Sequence, residues 1–146
     1  MTSYDVIYER FLQNIEDLDL AKMSDEDRQE SLLGYLKSSL ALMELNGVSF
    51  QNDLSQRDDD SKEFDADLTL MEIEIIATYM TASWYTPKIN SLEHTSLFVG
   101  VSGEKWTDQQ AHLAMMTSAR DNWLNEARKL CRNYRTLNNT YIRGQR

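Results

Sequence analysis

Residues 48–67 contain the one group of side chains in this sequence that has the chemistry of a metal site. The group offers the hard oxygen ligands that Ca²⁺ and Mg²⁺ prefer, on Asp53, Asp58, Asp60, Glu63, Asp65 and Asp67. The order of residues does not match a calcium-binding loop, because Lys62 occupies a ligand-like position and the central glycine is absent. We therefore predict no metal, and we interpret the segment as a solvated acidic loop.

No local signature of catalysis is present. Neither His94 nor His112 has a histidine or cysteine partner at the spacing of a metal site, and Cys131 is the only cysteine. No serine lies in a GxSxG turn, and no glycine-rich segment has the spacing that holds phosphate groups. The sequence predicts a protein that is not an enzyme and needs no cofactor. A metal-dependent enzyme is the alternative, and stoichiometric bound metal would identify it.

Charge is divided unevenly along the 146 residues. Residues 1–75 hold 19 Asp and Glu against 6 Lys and Arg, a net charge of −13, whereas residues 76–146 hold 5 against 9, a net charge of +4. Copies that meet head to tail gain attraction where the acidic part of one faces the basic part of the next. The pattern favours self-assembly, and the alternative is an accidental asymmetry on the surface of a monomer. The total of −9 disfavours sequence-specific nucleic-acid binding.

Neither a signal peptide nor a membrane span is predicted. Residues 1–12 mix acidic with apolar side chains and lack a basic start followed by an unbroken apolar stretch. The most apolar window, residues 68–85, contains Glu72 and Glu74 and is typical of a buried core helix.

Capping residues and apolar periodicity divide the first part of the chain into helices. Ser3, or Thr2 with Asp5, caps a first helix, and Ser24 caps a second that ends at residues 46–47. Residues 48–67 show no periodicity, and we predict a long exposed connection there. A capping box at residues 69–72 opens a central helix that Pro87 is expected to end.

The last part of the chain contains the longest predicted helix. A short helix is expected over residues 91–98, and a capping box at residues 107–110 introduces a helix that runs to about residue 136. The predicted fold is all-α, a bundle of four to five helices over residues 1–136, followed by an extended tail over residues 137–146.

The long C-terminal helix also carries the candidate interface. Its 29 residues would span about 43 Å, longer than a domain of this size is wide, so part of it is expected to project or meet a partner. Four cations lie near its end: Arg128, Lys129, Arg132 and Arg135. An interface and a favourable interaction with the helix dipole explain them equally well. Trp106, before this helix, is either an exposed anchor or part of the core.

Three stretches of the chain carry a resemblance to a known class of proteins. They are the opening SYDVIYERFL, the stretch DLSQRDDDSKEFDADLTLMEIEIIATYMTASWYTPKI and the later WTDQQAHLAMMTSARDNWLNEARKL. Together they resemble the head-tail connector, or neck adaptor, proteins of tailed bacteriophages. The likeness spans most of the chain, but it includes no motif that fixes the role of an individual residue.

The resemblance implies a structural protein of the virion neck, assembled in the host cytoplasm. It implies a ring of copies that matches a dodecameric portal and contacts the portal and a downstream neck or tail protein, while DNA passes through the centre. The tail, with Tyr141, Ile142 and Arg143, would order on docking, and the basic residues at positions 128–135 would form one side of each contact. The other side of each contact, or the surface of the lumen, would be formed by Asp58, Asp59, Asp60, Glu63 and Asp65.

Two other functions stay open. One is a different tail or baseplate component, which this sequence does not distinguish from a neck adaptor. The other is a regulatory helical protein that binds a basic partner through its acidic loop. Neutralising residues 58–60 would abolish binding in that case, and deleting the tail would not.

Overall fold

A computed structural model describes the backbone of residues 1–98 and 104–138 and the side chains of residues 1–93 and 108–137. Within these residues the helices are α1 (Tyr4–Leu12), α2 (Leu18–Lys22), α3 (Asp25–Leu45), α4 (Leu70–Phe98) and α5 (Glu104–Asn138). Three two-residue strands accompany them: β1 (Thr2–Ser3), β2 (Arg57–Asp58) and β3 (Glu63–Phe64). The predicted all-α helical bundle is confirmed. Helix α5 includes residues 137 and 138, which the sequence had assigned to the tail.

The start and end of α3 follow the local signals in the sequence. The Ser24 hydroxyl accepts a hydrogen bond from the Asp27 N–H at 3.2 Å, which satisfies one of the free amides of the first turn. At the other end, Gly47 has a φ of 69°, the left-handed conformation that glycine adopts at little cost after a helix. Both boundaries are as predicted.

Helix α2 was not predicted, and one carboxylate holds it in place. The Asp17 carboxylate accepts hydrogen bonds from the Leu20 N–H at 3.0 Å and from the Trp84 indole N–H at 2.8 Å. The Lys88 ammonium lies 3.5 Å from the same carboxylate and 4.6 Å from the centre of the Trp84 ring. Asp17 therefore joins the short helix to the middle of α4.

Helix α4 lies at the centre of the bundle, as its apolar composition predicts. Ten consecutive residues, 75–84, are buried, so every face of this stretch contacts protein. Apolar side chains from α1 and α3 surround it, including Ile7, Phe11, Leu32 and Leu36. Burial of this kind supplies most of the stability of a small helical domain.

The prediction that Pro87 ends the central helix is wrong, because α4 continues to Phe98. A proline inside a helix loses one backbone hydrogen bond and crowds the preceding turn, at a cost of about 3 kcal/mol. Packed side chains on both sides of Pro87 oppose a break: Trp84 and Lys88 hold Asp17, and Ile89 is buried in the next turn. Tertiary contacts therefore override the local signal.

Replacing Pro87 by alanine is expected to stabilise the protein by about 2 kcal/mol. The change restores a backbone donor inside α4, and the gain is smaller than the full cost of proline because proline also restricts the unfolded chain. Pro87 is exposed, so little packing is lost. Urea denaturation of Pro87→Ala measures the gain, with Thr86→Ala as the exposed neighbouring control. An unchanged or lower stability would show that the turn depends on the proline ring.

Residues 48–67 are more ordered than an exposed connection. Strands β2 and β3 form an antiparallel hairpin, and β1 pairs with the other edge of β3, with Thr2 opposite Phe64. The Phe64 side chain is fully buried, and its ring centre lies 5.0 Å from that of Tyr4. Pairing with the N-terminus, far away in sequence, creates this sheet. Its strands are only two residues long, which is too short for an alternating pattern in the sequence to predict them.

Helix α5 begins at Glu104, so the predicted cap at residues 107–110 lies inside its first turns. Its 35 residues correspond to about 52 Å, and it packs along α4. Among residues 108–137 only Ala127 and Tyr134 are buried. Before Ala127, nine of the described residues of α5 are half-buried and none is fully buried.

Candidate subunit interface

A basic face two turns long lies near the end of α5. It consists of four exposed side chains: Arg128, Lys129, Arg132 and Arg135. No carboxylate with a described position forms an ion pair with any of them. The other arginines with described side chains all have a carboxylate within 4 Å: Arg10, Arg28, Arg57 and Arg120. Arg128, Arg132 and Arg135 are thus the described arginines without a carboxylate neighbour, in a chain with a net charge of −9.

The helix dipole does not account for the whole basic face. Only Arg135 lies in the last turn of α5. The dipole interaction fades within one turn of the helix end, so it leaves Arg128 and Arg132 unexplained. Of the two explanations that the sequence left open, an interface fits these two arginines better.

Three of these side chains border a cavity of about 370 Å³. Arg128, Arg132 and Arg135 line it on α5, and they share one face because they are four and three residues apart. The opposite wall is the end of α3 with residues 46–50, and Tyr79 and Phe50 supply aromatic surface. We call this cavity, with its three arginines, the basic cleft. Lys129 lies beside it and does not line it.

The end of α3 shapes the wall of the basic cleft. The Gly47 N–H donates to the Glu44 carbonyl at 3.0 Å, and the Val48 N–H donates to the Met43 carbonyl at 2.9 Å. These two bonds turn the chain sharply toward α5. The Phe50 ring then rests against the Tyr134 ring of α5, with centres 5.1 Å apart. The wall is therefore attached to the helix that carries the arginines.

A buried carboxylate fixes this end of α5 to the start of α4. Glu72 is fully buried, and its Oε1 accepts from the Thr69 N–H at 2.9 Å and the Asn52 amide at 2.8 Å. Its Oε2 accepts from the Tyr134 hydroxyl at 3.1 Å, and that hydroxyl accepts from the Gln51 N–H at 2.8 Å. The predicted capping box is confirmed, because the Thr69 hydroxyl accepts from the Glu72 N–H at 3.2 Å. The bonds to Asn52 and Tyr134 had no signal in the sequence.

The one cysteine lies in the basic cleft as an unreactive thiol. Burial raises the pKa of Cys131, and the hydrogen bond with Tyr79 and the charge of Arg135 only partly offset that rise. A thiol that stays protonated is a poor nucleophile. The cleft is therefore better suited to binding than to covalent chemistry.

The five predicted acidic residues lie together on the hairpin formed by β2 and β3. We call residues 57–65 the acidic ribbon. Asp58 holds its turn, because its Oδ1 accepts from the Asp60 N–H at 2.8 Å and the Ser61 N–H at 3.3 Å. These two hydrogen bonds lower the pKa of the Asp58 carboxyl. Asp58 is therefore occupied by local structure.

Asp59 is also used within the fold. Its Oδ1 accepts a hydrogen bond from the Tyr4 hydroxyl at 2.6 Å, and its carboxylate lies 3.4 Å from Arg57 and 3.5 Å from Lys37. The Tyr4 bond and these two charges lower the pKa of the Asp59 carboxyl despite partial burial. Asp59 thus joins the ribbon to α1 and α3.

The other three acidic side chains of the ribbon are free for contact. Within the described residues, the carboxylates of Asp60, Glu63 and Asp65 form no ion pair and accept no hydrogen bond. Side chains alternate along a strand, so Glu63 and Asp65 point away from the core that receives Phe64. The ladder extends to Asp65, whose N–H donates to the Gln56 carbonyl at 3.0 Å. The pairing therefore fixes the backbone position of Glu63 and Asp65.

Several predicted site residues fall outside the described side chains. Trp106 belongs to α5, but its side chain is not described, and Tyr141, Ile142 and Arg143 lie beyond the described residues. Among the side chains that are described, no three His, Cys, Asp or Glu residues come together as ligands for a metal ion. Within the same limits, none of the helices has both the length and the apolar composition to cross a membrane.

Comparison with known proteins gives no relative. No protein-family model, no curated protein and no solved structure matches this chain.

Proposed function

We propose that this chain is a structural subunit that assembles head to tail, with the basic face of α5 in one copy against the acidic surface of the next. The main support is that Arg128, Arg132 and Arg135 line one cleft and have no carboxylate partner among the described residues, in a chain of net charge −9. Opposite charges on different parts of one chain favour repeated heterologous contacts, which close into a ring when the rotation between copies closes and otherwise form a filament.

The assembly we propose is the head-tail connector of a tailed bacteriophage. Support comes from the sequence resemblance, from the all-α bundle that it implies and from the long α5. In that setting the copies form a ring in the virion neck that contacts the portal above and a neck or tail protein below. Acidic side chains that face the lumen repel the passing DNA and keep it from binding. Another tail or baseplate component would use the same contacts.

Salt dependence of self-association is the first test. We expect oligomers of the full chain at about 50 mM NaCl and dissociation at about 1 M, because the screening length falls from over 10 Å to about 3 Å across this range. Sedimentation velocity at several protein concentrations measures the change, and electron-microscopy class averages show whether the oligomers are rings. A chain that stays monomeric at every salt and protein concentration and does not bind a portal would contradict the proposal.

A regulatory protein that binds a basic partner is a second candidate. The free carboxylates of Asp60, Glu63 and Asp65 favour it. It predicts a monomer whose binding to a basic peptide is lost when these three residues are neutralised. Arg128→Glu distinguishes the two candidates. A regulatory protein with this change would still bind the basic peptide, whereas a structural subunit with this change would assemble poorly.

A further inference from the structure

We propose that the basic cleft receives the acidic ribbon of a second copy, with Glu63 and Asp65 facing Arg128 and Arg132. This inference rests on the proposed function, because it names the contact through which the copies join.

Within the described residues of one copy, neither surface has an ionic partner, although Arg128 donates a hydrogen bond to the Asn125 side chain at 3.2 Å. The cleft arginines have no described carboxylate partner, and the two ribbon carboxylates have no described hydrogen-bond donor. The pair between Arg10 and Glu74, by contrast, is already joined by two hydrogen bonds within one copy. Forming a charged pair across an interface costs less free energy when neither group has to break an existing ion pair.

The spacing of the two acidic residues on the ribbon is similar to the spacing of the two arginines in the cleft. Strand geometry places Glu63 and Asp65 about 7 Å apart on one side of the ribbon. Helix geometry separates Arg128 from Arg132 by about 6 Å along α5. Each guanidinium can therefore meet one carboxylate, and arginine makes paired parallel hydrogen bonds with a carboxylate that lysine does not make.

Both surfaces are also held in place before they meet. Strand pairing fixes the backbone of the ribbon, and the buried Glu72 network fixes the part of α5 that carries the cleft. Rigid partners lose less conformational entropy on binding, so a small charged contact becomes more effective. Acidic residues at helix N-termini, such as Asp25 and Glu26, are less suitable partners for the cleft, because they already interact favourably with their own helix.

Nucleic acid is a less suitable occupant than an acidic protein segment. A duplex would have to approach a chain of net charge −9, and only a short cluster of cations would attract it. Tyr79, Phe50 and Cys131 also line the cleft. Their side chains suit the apolar parts of a peptide, and the arginines suit its charges.

Charge reversal in the full chain tests the contact. We expect Glu63→Lys/Asp65→Lys and Arg128→Glu/Arg132→Glu each to weaken self-association by on the order of 100-fold, because attraction becomes repulsion. An equimolar mixture of the two variants should recover assembly, since every reversed surface then has a complementary partner. Glu9→Lys/Glu30→Lys is the control for the ribbon variant, because both double changes replace two acidic residues by lysine. Both of its positions are exposed outside the ribbon, and we expect less than a threefold effect. Circular dichroism checks that each variant is folded.

The outcomes separate this contact from the proposed function. If Arg128→Glu/Arg132→Glu weakens assembly and Glu63→Lys/Asp65→Lys does not, or if the mixture does not recover, the ribbon is not the occupant of the cleft and the proposed function stands. If the wild type assembles and neither reversal weakens it, the basic face is not in the contact and both fail. If the wild type never assembles, both fail. If Arg128→Glu/Arg132→Glu abolishes binding to duplex DNA and leaves self-association unchanged, the cleft is a nucleic-acid site and this inference is overturned.

Discussion

Replacing Glu72 by alanine is expected to lower the free energy of unfolding by about 4 kcal/mol. The change removes a buried acceptor from three donors: the Thr69 N–H, the Asn52 amide and the Tyr134 hydroxyl. Each buried donor left without a partner costs about 1 to 3 kcal/mol, and water that enters the vacated space recovers part of it. Guanidinium denaturation measures the loss.

Two further variants separate the parts of this network. Glu72→Gln keeps one acceptor oxygen and should cost about half as much as alanine, and Tyr134→Phe should cost about 1.5 kcal/mol. The double variant Glu72→Ala/Tyr134→Phe should cost less than the sum of its two single changes, because they share a hydrogen bond. Additive effects, or a loss below about 1 kcal/mol for Glu72→Ala, would show that the network does not hold α5 in place.

Replacing Asp17 by alanine is expected to cost about 3 kcal/mol at neutral pH. The change removes the cap of α2 and the acceptor of the Trp84 indole N–H, and it leaves Lys88 without its carboxylate. A lost cap costs about 1 kcal/mol and a hydrogen bond to a charged group about 2 kcal/mol. Thermal or urea unfolding of Asp17→Ala measures the effect, with the exposed Asp19→Ala in the same helix as the control.

The contribution of Asp17 should disappear in acid. Burial by itself raises the pKa of the Asp17 carboxyl, but the bonds from Leu20 and Trp84 and the charge of Lys88 outweigh it and leave the pKa below its usual value. Because the pKa is lower in the folded state, this stabilisation is complete above the unfolded pKa of about 4 and is lost as pH falls through the folded value. The stability gap between wild type and Asp17→Asn should therefore narrow below about pH 4. A gap that is constant from pH 7 to pH 2 would contradict this assignment.

Local signals in the sequence predicted several helix boundaries correctly. The caps at Ser24 and Thr69 and the stop at Gly47 depend on hydrogen bonds and dihedral angles within a few residues, so they are readable from sequence alone. The central place of α4 followed from a stretch without a polar face. The four cations near the end of α5 were predicted to form a subunit or portal interface; they are exposed, and their role stays a prediction.

Features that depend on distant residues were not predictable. Phe64 is buried because the N-terminus pairs with β3, and α4 passes through Pro87 because Asp17 and Ile89 hold the flanking turns. The sequence grouped Asp58 and Asp59 with the other ribbon carboxylates, but their bonds within the fold separate them from Glu63 and Asp65. The basic cleft exists only because the end of α3 reaches α5.

The most direct test of the account uses two neutralised variants that each keep one half of the contact. Glu63→Gln/Asp65→Asn retains the basic cleft, and Arg128→Gln/Arg132→Gln retains the acidic ribbon. We expect sedimentation velocity to show that each variant alone is monomeric and that an equimolar mixture forms one-to-one dimers and nothing larger, because a single complementary contact remains. A mixture that stays monomeric, or a variant that assembles by itself like the wild type, would contradict head-to-tail joining through these two surfaces.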